Sequence, residues 1–432
     1  MPRRSLALLV ALMAVSFACY VRAERSPYGR YLAQAFDEID DHYLERIDQR
    51  QLFDAGVKAM VGQLDTYSGF IGRDAATRFQ ESIDQRFGGI GVEVSQDPDS
   101  KLLVVTSPVL NTPAFRAGIR AGDTLVAIDG RSLDEIAPKK RMETAVKWLQ
   151  GKEGEPVVVR YLRAGSAEPL EARLVRATIQ VDSVLGDSRH ERNAWNFLLA
   201  GHAGIGYVRM TQFGEQSVGE FHTALESLAE RGCKELILDL RDNRGGLLKA
   251  APEICRLFLP AGKVIVTTRD RSGKIKDRYA TTEQGPYVDW RLVVLVNSES
   301  ASASEIVAAC LQDHGRAKIV GERTWGKGTV QHVIDLEGGH SRLRLTTASF
   351  WRPNGQNIHR FQASSDADPW GVRPDAGSEI TLDSDQRARL VKERRKRDVV
   401  WPPGVRPSDA APLSDPAGFD PAIARAVTLL ES

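Results

Sequence analysis

Two residues of this chain have the type and surroundings for covalent chemistry, Ser302 and Lys327. Ser302 lies in the small-residue run Ser300-Ala301-Ser302-Ala303-Ser304-Glu305, and Lys327 lies in Gly326-Lys327-Gly328-Thr329-Val330-Gln331. A serine hydroxyl is a weak nucleophile until a neighbour takes its proton, and lysine can do so only as a neutral amine. Burial supplies that state, because desolvation disfavours the ammonium form, and Gly326 and Gly328 leave room for backbone to close around the lysine stem. Gln331 follows Lys327 by four residues and would share its face on a helix; on irregular backbone its amide could still orient the amine without adding charge. Taken singly, a serine at an Ala/Ser-rich helix start is a cap or a close-packing residue, which is the reading for Ser300 and Ser304. The pairing with a glycine-flanked lysine is what points to acyl transfer by a serine nucleophile and a lysine base.

These residues need a rigid frame, and the flanking sequence provides one. Arg291-Leu292-Val293-Val294-Leu295-Val296-Asn297 reads as a buried strand, and Ile306-Val307-Ala308-Ala309-Cys310-Leu311 has helical spacing, so Ser302 falls where a strand turns into a helix. There the unpaired amides of a helix start can face developing negative charge. A second strand, Glu235-Leu236-Ile237-Leu238-Asp239-Leu240, runs into Gly245-Gly246, where backbone can approach a bound carbonyl closely. The amides of Gly246 and Ala303 are the expected oxyanion donors. Asp313 and His314 do not make a Ser-His-Asp triad with Ser302: adjacent residues do not readily orient one another, and no Gly-x-Ser-x-Gly elbow is present. Asp313 is read as a structural partner at a helix end.

Leu238-Asp239-Leu240-Arg241-Asp242-Asn243-Arg244-Gly245-Gly246-Leu247-Leu248, the Ser302 run, Gln312-Asp313-His314-Gly315-Arg316-Ala317 and Gly321-Glu322-Arg323-Thr324-Trp325-Gly326-Lys327-Gly328 follow one another in order. Leu345-Thr346-Thr347-Ala348, Trp351-Arg352-Pro353-Asn354-Gly355 and Gly371-Val372-Arg373-Pro374-Asp375 close the series. In order and spacing the series resembles the carboxyl-terminal processing, or tail-specific, serine proteases of peptidase family S41. The resemblance places the nucleophile on Ser302, the base on Lys327 and a lysine-orienting glutamine on Gln331. It also implies a crotonase-like α/β core. Arg244 stands where that family commonly has proline, and Trp325 where it has Phe or Tyr. Neither departure removes a catalytic group.

Residues 86 to 177 form a second unit. Arg86-Phe87-Gly88-Gly89-Ile90-Gly91-Val92-Glu93-Val94 is a glycine-rich entry into an alternating strand. Ser107-Pro108, Ala117-Gly118-Ile119-Arg120-Ala121-Gly122-Asp123-Thr124-Leu125 and Val126-Ala127-Ile128-Asp129-Gly130 follow it. Together they resemble a PDZ domain, which binds a peptide C-terminus by adding it as a strand to a sheet edge and capturing its carboxylate with backbone amides. Gly88, Gly89, Ile90, Gly91 and Val92 would form that loop, whose glycines let successive amides converge on an anion. Met142 to Gln150 reads as a helix and Val157 to Arg163 as a strand. Arg163 best matches the arginine that in some family members senses PDZ position, with a solvated strand-end arginine as the equal alternative.

The expected architecture is therefore a multidomain α/β chain. Residues 1–23 would be a signal peptide or anchor, 24–80 a helical segment, 83–177 an inserted PDZ domain of β-sandwich or barrel type, 179–380 the peptidase core, and 381–432 a basic helix, a Pro-rich linker and a C-terminal helix. A length of 432 residues exceeds one ordinary core, and 42% apolar with 27% charged residues is usual for a globular chain. A net charge of +1 gives no support for nucleic-acid binding. Residues 387 to 397 are locally basic and read as a solvated helix face, with an anionic membrane surface as the lesser reading. Pro2-Arg3-Arg4 followed by an apolar stretch and Val21-Arg22-Ala23 resembles an export leader, which would place the folded part in the cell envelope, periplasmic or extracellular, or anchored by the N-terminus. Cys233, Cys255 and Cys310 are an odd count in core-like patterns, so no disulfide framework is expected, and no metal-ligand spacing appears: no cofactor and no metal.

The expected partners are protein or peptide substrates with nonpolar C-terminal tails. An activator or adaptor protein is compatible, and so is self-association through the helices between Tyr31 and Leu64. Two other readings remain at this point, a catalytically silent PDZ scaffold on a peptidase fold and a crotonase-like thioester enzyme, which would have no need of a PDZ domain.

Overall fold

The computed structural model describes residues 12–14, 16, 27–190, 192–402 and 413–432. The leader-like stretch and most of the proline-rich linker therefore lie outside the described residues.

Helices α1 (Pro27–His42) and α2 (Gln49–Val61) come first; α1 buries none of its residues, and Asp48 caps α2 by accepting from Arg50 N. After β1 (Gly69–Ile71) and α3 (Arg73–Asp84), strand β2 (Arg86–Gly89) leads into an antiparallel unit. Its strands are β3 (Val92–Gln96), β4 (Leu103–Pro108), β5 (Thr124–Ile128), β6 (Arg131–Ser132), β7 (Pro156–Leu162) and β8 (Leu170–Val175). They lie in the order β3-β4-β5-β7-β8, with β6 beside β5. Two helices accompany them, α4 (Pro113–Arg116) and α5 (Pro138–Leu149). Along β7, Val157, Val159 and Tyr161 are buried while Pro156, Arg160 and Leu162 are exposed, the period of two that lets one sheet face cover a core. Strand β9 (Ala177–Gln180) returns antiparallel to β2, with Arg86 opposite Gln180, so a two-stranded ribbon joins this unit to the rest.

The remaining chain alternates strands and helices. Strand β10 (Val184–Leu185) precedes the short pair β11 (Ser188–Arg189) and β12 (Trp195–Asn196). Then come β13 (Ile205–Met210), α6 (Ser217–Glu230), β14 (Glu235–Asp239), α7 (Ala250–Arg256), β15 (Val264–Arg269) and β16 (Ile275–Ala280). They are followed by β17 (Arg291–Val296), α8 (Ala303–Asp313), β18 (Lys318–Gly321), β19 (Thr329–Leu336) and β20 (Ser341–Trp351). One sheet runs β10-β13-β14-β17-β18, parallel from β13 to β18. The other runs β1-β20-β15-β16, with β19 pairing antiparallel along β20.

The parallel strands are apolar through their middles because both faces are covered. Leu236, Leu238, Val294 and Val296 pack with α6, α7 and α8, whereas Ile237, Val293 and Leu295 pack against Ala422, Ile423, Ala426, Val427 and Leu430 of the last helix. Two helices close the chain, α9 (Ser384–Asp398) and α10 (Pro421–Glu431).

The basic helix corrects one expectation. Arg387, Arg389, Lys392, Arg395 and Lys396 of α9 are exposed as expected, but two arginines are not solvated: Arg397 is 3% exposed and bonds Asp187 at 2.7 Å, while Arg394 reaches Asp239 at 3.1 Å. Sequence composition hid this because the matching acids lie far away in the chain.

Candidate active site

The site is assembled where β14 and β17 end. Beyond β14, Asn243 is fully buried; its amide donates to Met210 O at 2.8 Å, and its side-chain oxygen accepts from Gly245 N at 2.9 Å. Its carbonyl accepts from Ala301 N at 3.0 Å and from Ser304 Oγ at 2.8 Å. Ser300 Oγ donates to Leu240 O at 2.8 Å. The two close-packing serines thus stitch the Ser302 loop to the Gly-Gly turn. Gly245 has φ +93°, and a Cβ there would stand 2.8 Å from Ala301 O and from Ser302 Cβ, so only glycine fits against the serine. Upstream, Arg241 binds Asp239 through Nε at 2.9 Å and Asp420 through Nη1 at 3.0 Å, tying the turn to the start of α10. Burial alone would raise the Asp239 carboxyl, but the Arg241 guanidinium holds it well below the usual carboxylate range.

Ser302 precedes α8 with φ +58° and ψ −112°, a conformation uncommon for a residue with a side chain and of the kind stored at functional sites. Glu305 holds it there. This carboxylate is fully buried; one oxygen accepts from Ser302 N and Lys327 N, both at 2.8 Å, and the other from Thr324 Oγ1 at 2.6 Å and Gly326 N at 2.7 Å. One side chain therefore fixes the backbone of both Ser302 and Lys327. Burial pushes the Glu305 pKa up, and its four donors oppose that shift. The arrangement also consumes the Ser302 amide. Among the described residues, the amides of Gly246 and Ala303 donate to no protein acceptor, which leaves them free for a ligand oxygen.

Ser302 and Lys327 line one cavity of about 520 Å³, together with Gly245, Gly246, Gln331 and Arg344. No hydrogen bond joins Ser302 Oγ to Lys327 Nζ among the described residues. The Lys327 amine stands 5.2 Å from the centre of the Tyr67 ring. Burial lowers its pKa, the charge of Arg344 lowers it further, and Glu305 acts in the opposite direction. Gln331 lies on β19 and donates to Thr329 Oγ1 at 2.8 Å and Thr346 Oγ1 at 3.3 Å, so it shares the cavity with Lys327 without bonding it. An open groove adjoins the cavity at Thr329, walled by Tyr67, Trp351 and His359. A separate cavity of about 400 Å³ lies under α9 among the ion pairs and contains neither Ser302 nor Lys327.

Asp313 and His314 face elsewhere. Asp313 accepts from Arg352 at 2.6 and 3.0 Å, and His314 Nε2 contacts Val264 O at 2.7 Å. Cys233, Cys255 and Cys310 are free and buried. Among the described residues, no group of three or more His, Cys, Asp or Glu side chains could hold a metal.

In the antiparallel unit, β3 pairs with β4 on one side only, leaving an edge beside α5. A small groove there is lined by Gly89, Ile90, Gly91, Val92, Val146 and Leu149. Gly88 packs behind it against the Gly151 carbonyl. Arg163 is held inside the unit, binding Asp123 at 2.8 and 2.7 Å and Gly118 O at 2.8 Å. The unit meets the core where Val400 N donates to Ser107 Oγ at 3.0 Å.

The model of peptidase family S41 matches residues 204–376, and that of the PDZ domain matches 104–163. A carboxy-terminal-processing protease of Bartonella bacilliformis is 32% identical over 84% of this chain and 80% of the relative. The chain belongs to peptidase family S41. The carboxy-terminal processing protease CtpB of Bacillus subtilis (strain 168) is 31% identical over 80% of this chain and 69% of the relative. A solved structure described as an S41 protease from Bacteroides fragilis NCTC 9343 aligns with TM-score 0.53 over 90% of this chain and 92% of that one. At 15% identity that likeness concerns the fold. This S41 chain is thus a serine peptidase of the carboxy-terminal processing family, with a PDZ domain and peptide or protein substrates.

Two contributors to the S41 site escaped sequence reasoning. Glu305 stands three residues after Ser302, the spacing of a capping box, and that signal was available. Asn243, buried in a polar turn, carried none.

Proposed function

We propose that this S41 peptidase is an exported endopeptidase that engages nonpolar C-terminal tails in its PDZ groove and cuts upstream with a Ser302–Lys327 dyad. The supporting observation is the Glu305 carboxylate, which binds the backbone of both residues at 2.8 Å and so fixes nucleophile and base at one cavity. Neutral Lys327, favoured by burial, takes the Ser302 proton as Oγ adds to the scissile carbonyl. The amides of Gly246 and Ala303 receive the oxyanion. As the tetrahedral intermediate collapses, the Lys327 ammonium returns a proton to the leaving amine, and the neutral lysine then activates water against the acyl-enzyme. Gln331 orients the amine once substrate displaces its contacts with the threonines.

For tail recognition the support is the open β3 edge beside α5 and the groove at Gly89, Ile90, Gly91 and Val92; Gly88, expected in the carboxylate loop, is instead paired with Thr178 in β2. Arg163, held by Asp123, then stabilises the PDZ fold and acts on the peptidase only through that unit. Export rests on the leader-like sequence. Among the described residues no helix is long and apolar enough to cross a membrane, and N-terminal sequencing of fractionated protein tests the assignment. Self-association is supported by α1, where Tyr28, Tyr31, Leu32 and Ile39 are exposed at helical spacing, and sedimentation tests it.

The deciding experiment is proteolysis of an unfolded reporter with a nonpolar C-terminal tail by the full chain, Ser302→Ala and Lys327→Ala. Cleavage by the parent alone supports the dyad. Cleavage by either variant at the parent's rate refutes it, and absence of parental labelling by a serine-reactive acylating probe favours the silent scaffold.

A further inference from the structure

Among the described residues, Arg344 has no counter-ion at the cavity that holds Ser302 and Lys327. It lies on β20 opposite Val333 of β19 and Gly69 of β1. Its Nε is buried and has no hydrogen-bond partner, and among the described residues its guanidinium makes no hydrogen bond or ion pair at all. The other arginine of this strand is satisfied: Arg342 binds Asp335 at 3.0 Å and Gln80 at 2.8 Å. Three carboxylates near the cavity are engaged elsewhere. Asp65 accepts from Tyr67 N, Ser68 and Thr346, Asp242 from Asn297, and Glu305 from its four donors. Among the described residues nothing answers this charge, and its buried Nε is costly to leave without an acceptor.

The position suits a substrate group. Arg344 lines the same cavity as Ser302 and Lys327, and the walls around it are apolar, with Phe79, Ile83, Val333 and Phe350. Its guanidinium stands over the backbone of β1, where a Cβ on Gly69 would come within 3.6 Å of Nη2. An arginine fork in an apolar wall fits a planar anion, and the planar anion a peptide brings is a carboxylate.

We propose that Arg344 is a specificity-determining residue that binds a carboxylate of the peptide lying in the catalytic cleft. The proposal rests on the peptidase reading of this cavity. Two sources carry that chemistry, an Asp or Glu side chain flanking the scissile bond and the terminal carboxylate of a short peptide drawn into the cleft. Because Arg344 also disfavours the Lys327 ammonium, pairing it with a substrate carboxylate would raise the lysine pKa, so carboxylate-bearing and neutral peptides should differ in pH profile as well as in KM.

The test uses fluorogenic peptides in which one Glu, or Gln as its neutral partner, is moved through the positions flanking the cleaved bond, each as free acid and as C-terminal amide. With the parent enzyme, kcat/KM for Glu over Gln should reach about tenfold at one position, or for acid over amide in the shortest peptides. That ratio should fall towards one in Arg344→Met and stay intermediate in Arg344→Lys. An acid-over-amide preference that survives in Arg344→Met belongs to the PDZ loop and counts against the terminal-carboxylate source. The same peptides bound to the Ser302→Ala chain, read by fluorescence anisotropy, give the preference independently of turnover. Ratios near one at every position in both assays overturn the proposal and leave the peptidase reading intact. A binding preference with no cleavage by the parent overturns the peptidase reading and keeps the carboxylate site. If Arg344→Met fails to fold, the Glu/Gln comparison on the parent and Arg344→Lys still decides.

Discussion

Replacing Glu305 by Gln is the sharpest perturbation of this site, because it changes one oxygen in a fully buried group. The carboxylate accepts four hydrogen bonds, whereas glutamine can accept on one atom and must present an amino group on the other. The cheaper orientation keeps the oxygen toward Ser302 N and Lys327 N. Its amino group then faces Thr324 and Gly326. The Thr324 hydroxyl can turn to accept while still receiving Val372 N at 2.8 Å, but the Gly326 amide is orphaned. An unsatisfied buried amide costs about 1–3 kcal/mol, and two bonds that lose their charge assistance cost roughly 1 kcal/mol each, about 3–5 kcal/mol together. The apparent Tm should then fall by roughly 3–6 °C for a chain of this length. Catalysis should respond separately. Glu305 favours the Lys327 ammonium, so removing its charge lowers the lysine pKa further and moves the acid limb of kcat/KM to lower pH. Differential scanning fluorimetry and a pH series on one reporter read both effects. A Glu305→Gln chain melting within about 1 °C of the parent, with an unmoved acid limb, would refute the clamp.

Three further outcomes follow from the same geometry. In the parent, kcat/KM should rise with pH as Lys327 loses its proton, with a midpoint below the ordinary lysine value of 10.5; a midpoint at or above it contradicts a desolvated base. Gly245→Ala should reduce kcat by about 10²-fold or more, since its Cβ would meet Ala301 O and Ser302 Cβ at 2.8 Å and displace the nucleophile; parental kcat in a folded variant counts against the packing argument. Asp420→Asn keeps a capping group for α10 but leaves Arg241 with one carboxylate, which should cost about 3 kcal/mol in urea unfolding, and a loss under about 0.5 kcal/mol would show the pair to be dispensable.

What the sequence revealed divides along physical lines. The strand before Ser302 and the helix after it were legible because both faces of the parallel sheet are covered, so Leu292 to Val296 form an unbroken apolar run. The open β3 edge was expected only from the PDZ resemblance, because alternation marks a buried face and not an edge. The close packing beside Lys327 was legible in its flanking glycines: a Cβ at Gly328 would stand 2.3 Å from His359 N. Contacts made at long range were not legible. The partners of Arg394 and Arg397 lie 155 and 210 residues away, so composition gave no sign that these two leave the otherwise exposed face of their helix. Arg344 shows the same limit from the other side, since an arginine in an alternating strand gives no sign that its partner is missing. The helical spacing of Gln331 from Lys327 does not apply, since Gln331 lies on a strand, and its bonds to Thr329 and Thr346 depend on strand pairing that spacing does not encode.

The bond between Arg241 and Asp420 orders events in time. The chain is synthesised from its N-terminus, so Ser302 and Lys327 both exist long before residue 420 is made. Until then the turn bearing Gly245 and Gly246 lacks one of the two carboxylates that brace Arg241, and the parallel sheet lacks the helix that covers one of its faces. The proposed site is therefore completed late, and a partly made copy carries Ser302 without the bracing that aims the Gly245 turn. A hydrolase built this way is least able to cut when the nascent protein around it, its own chain included, is still unfolded.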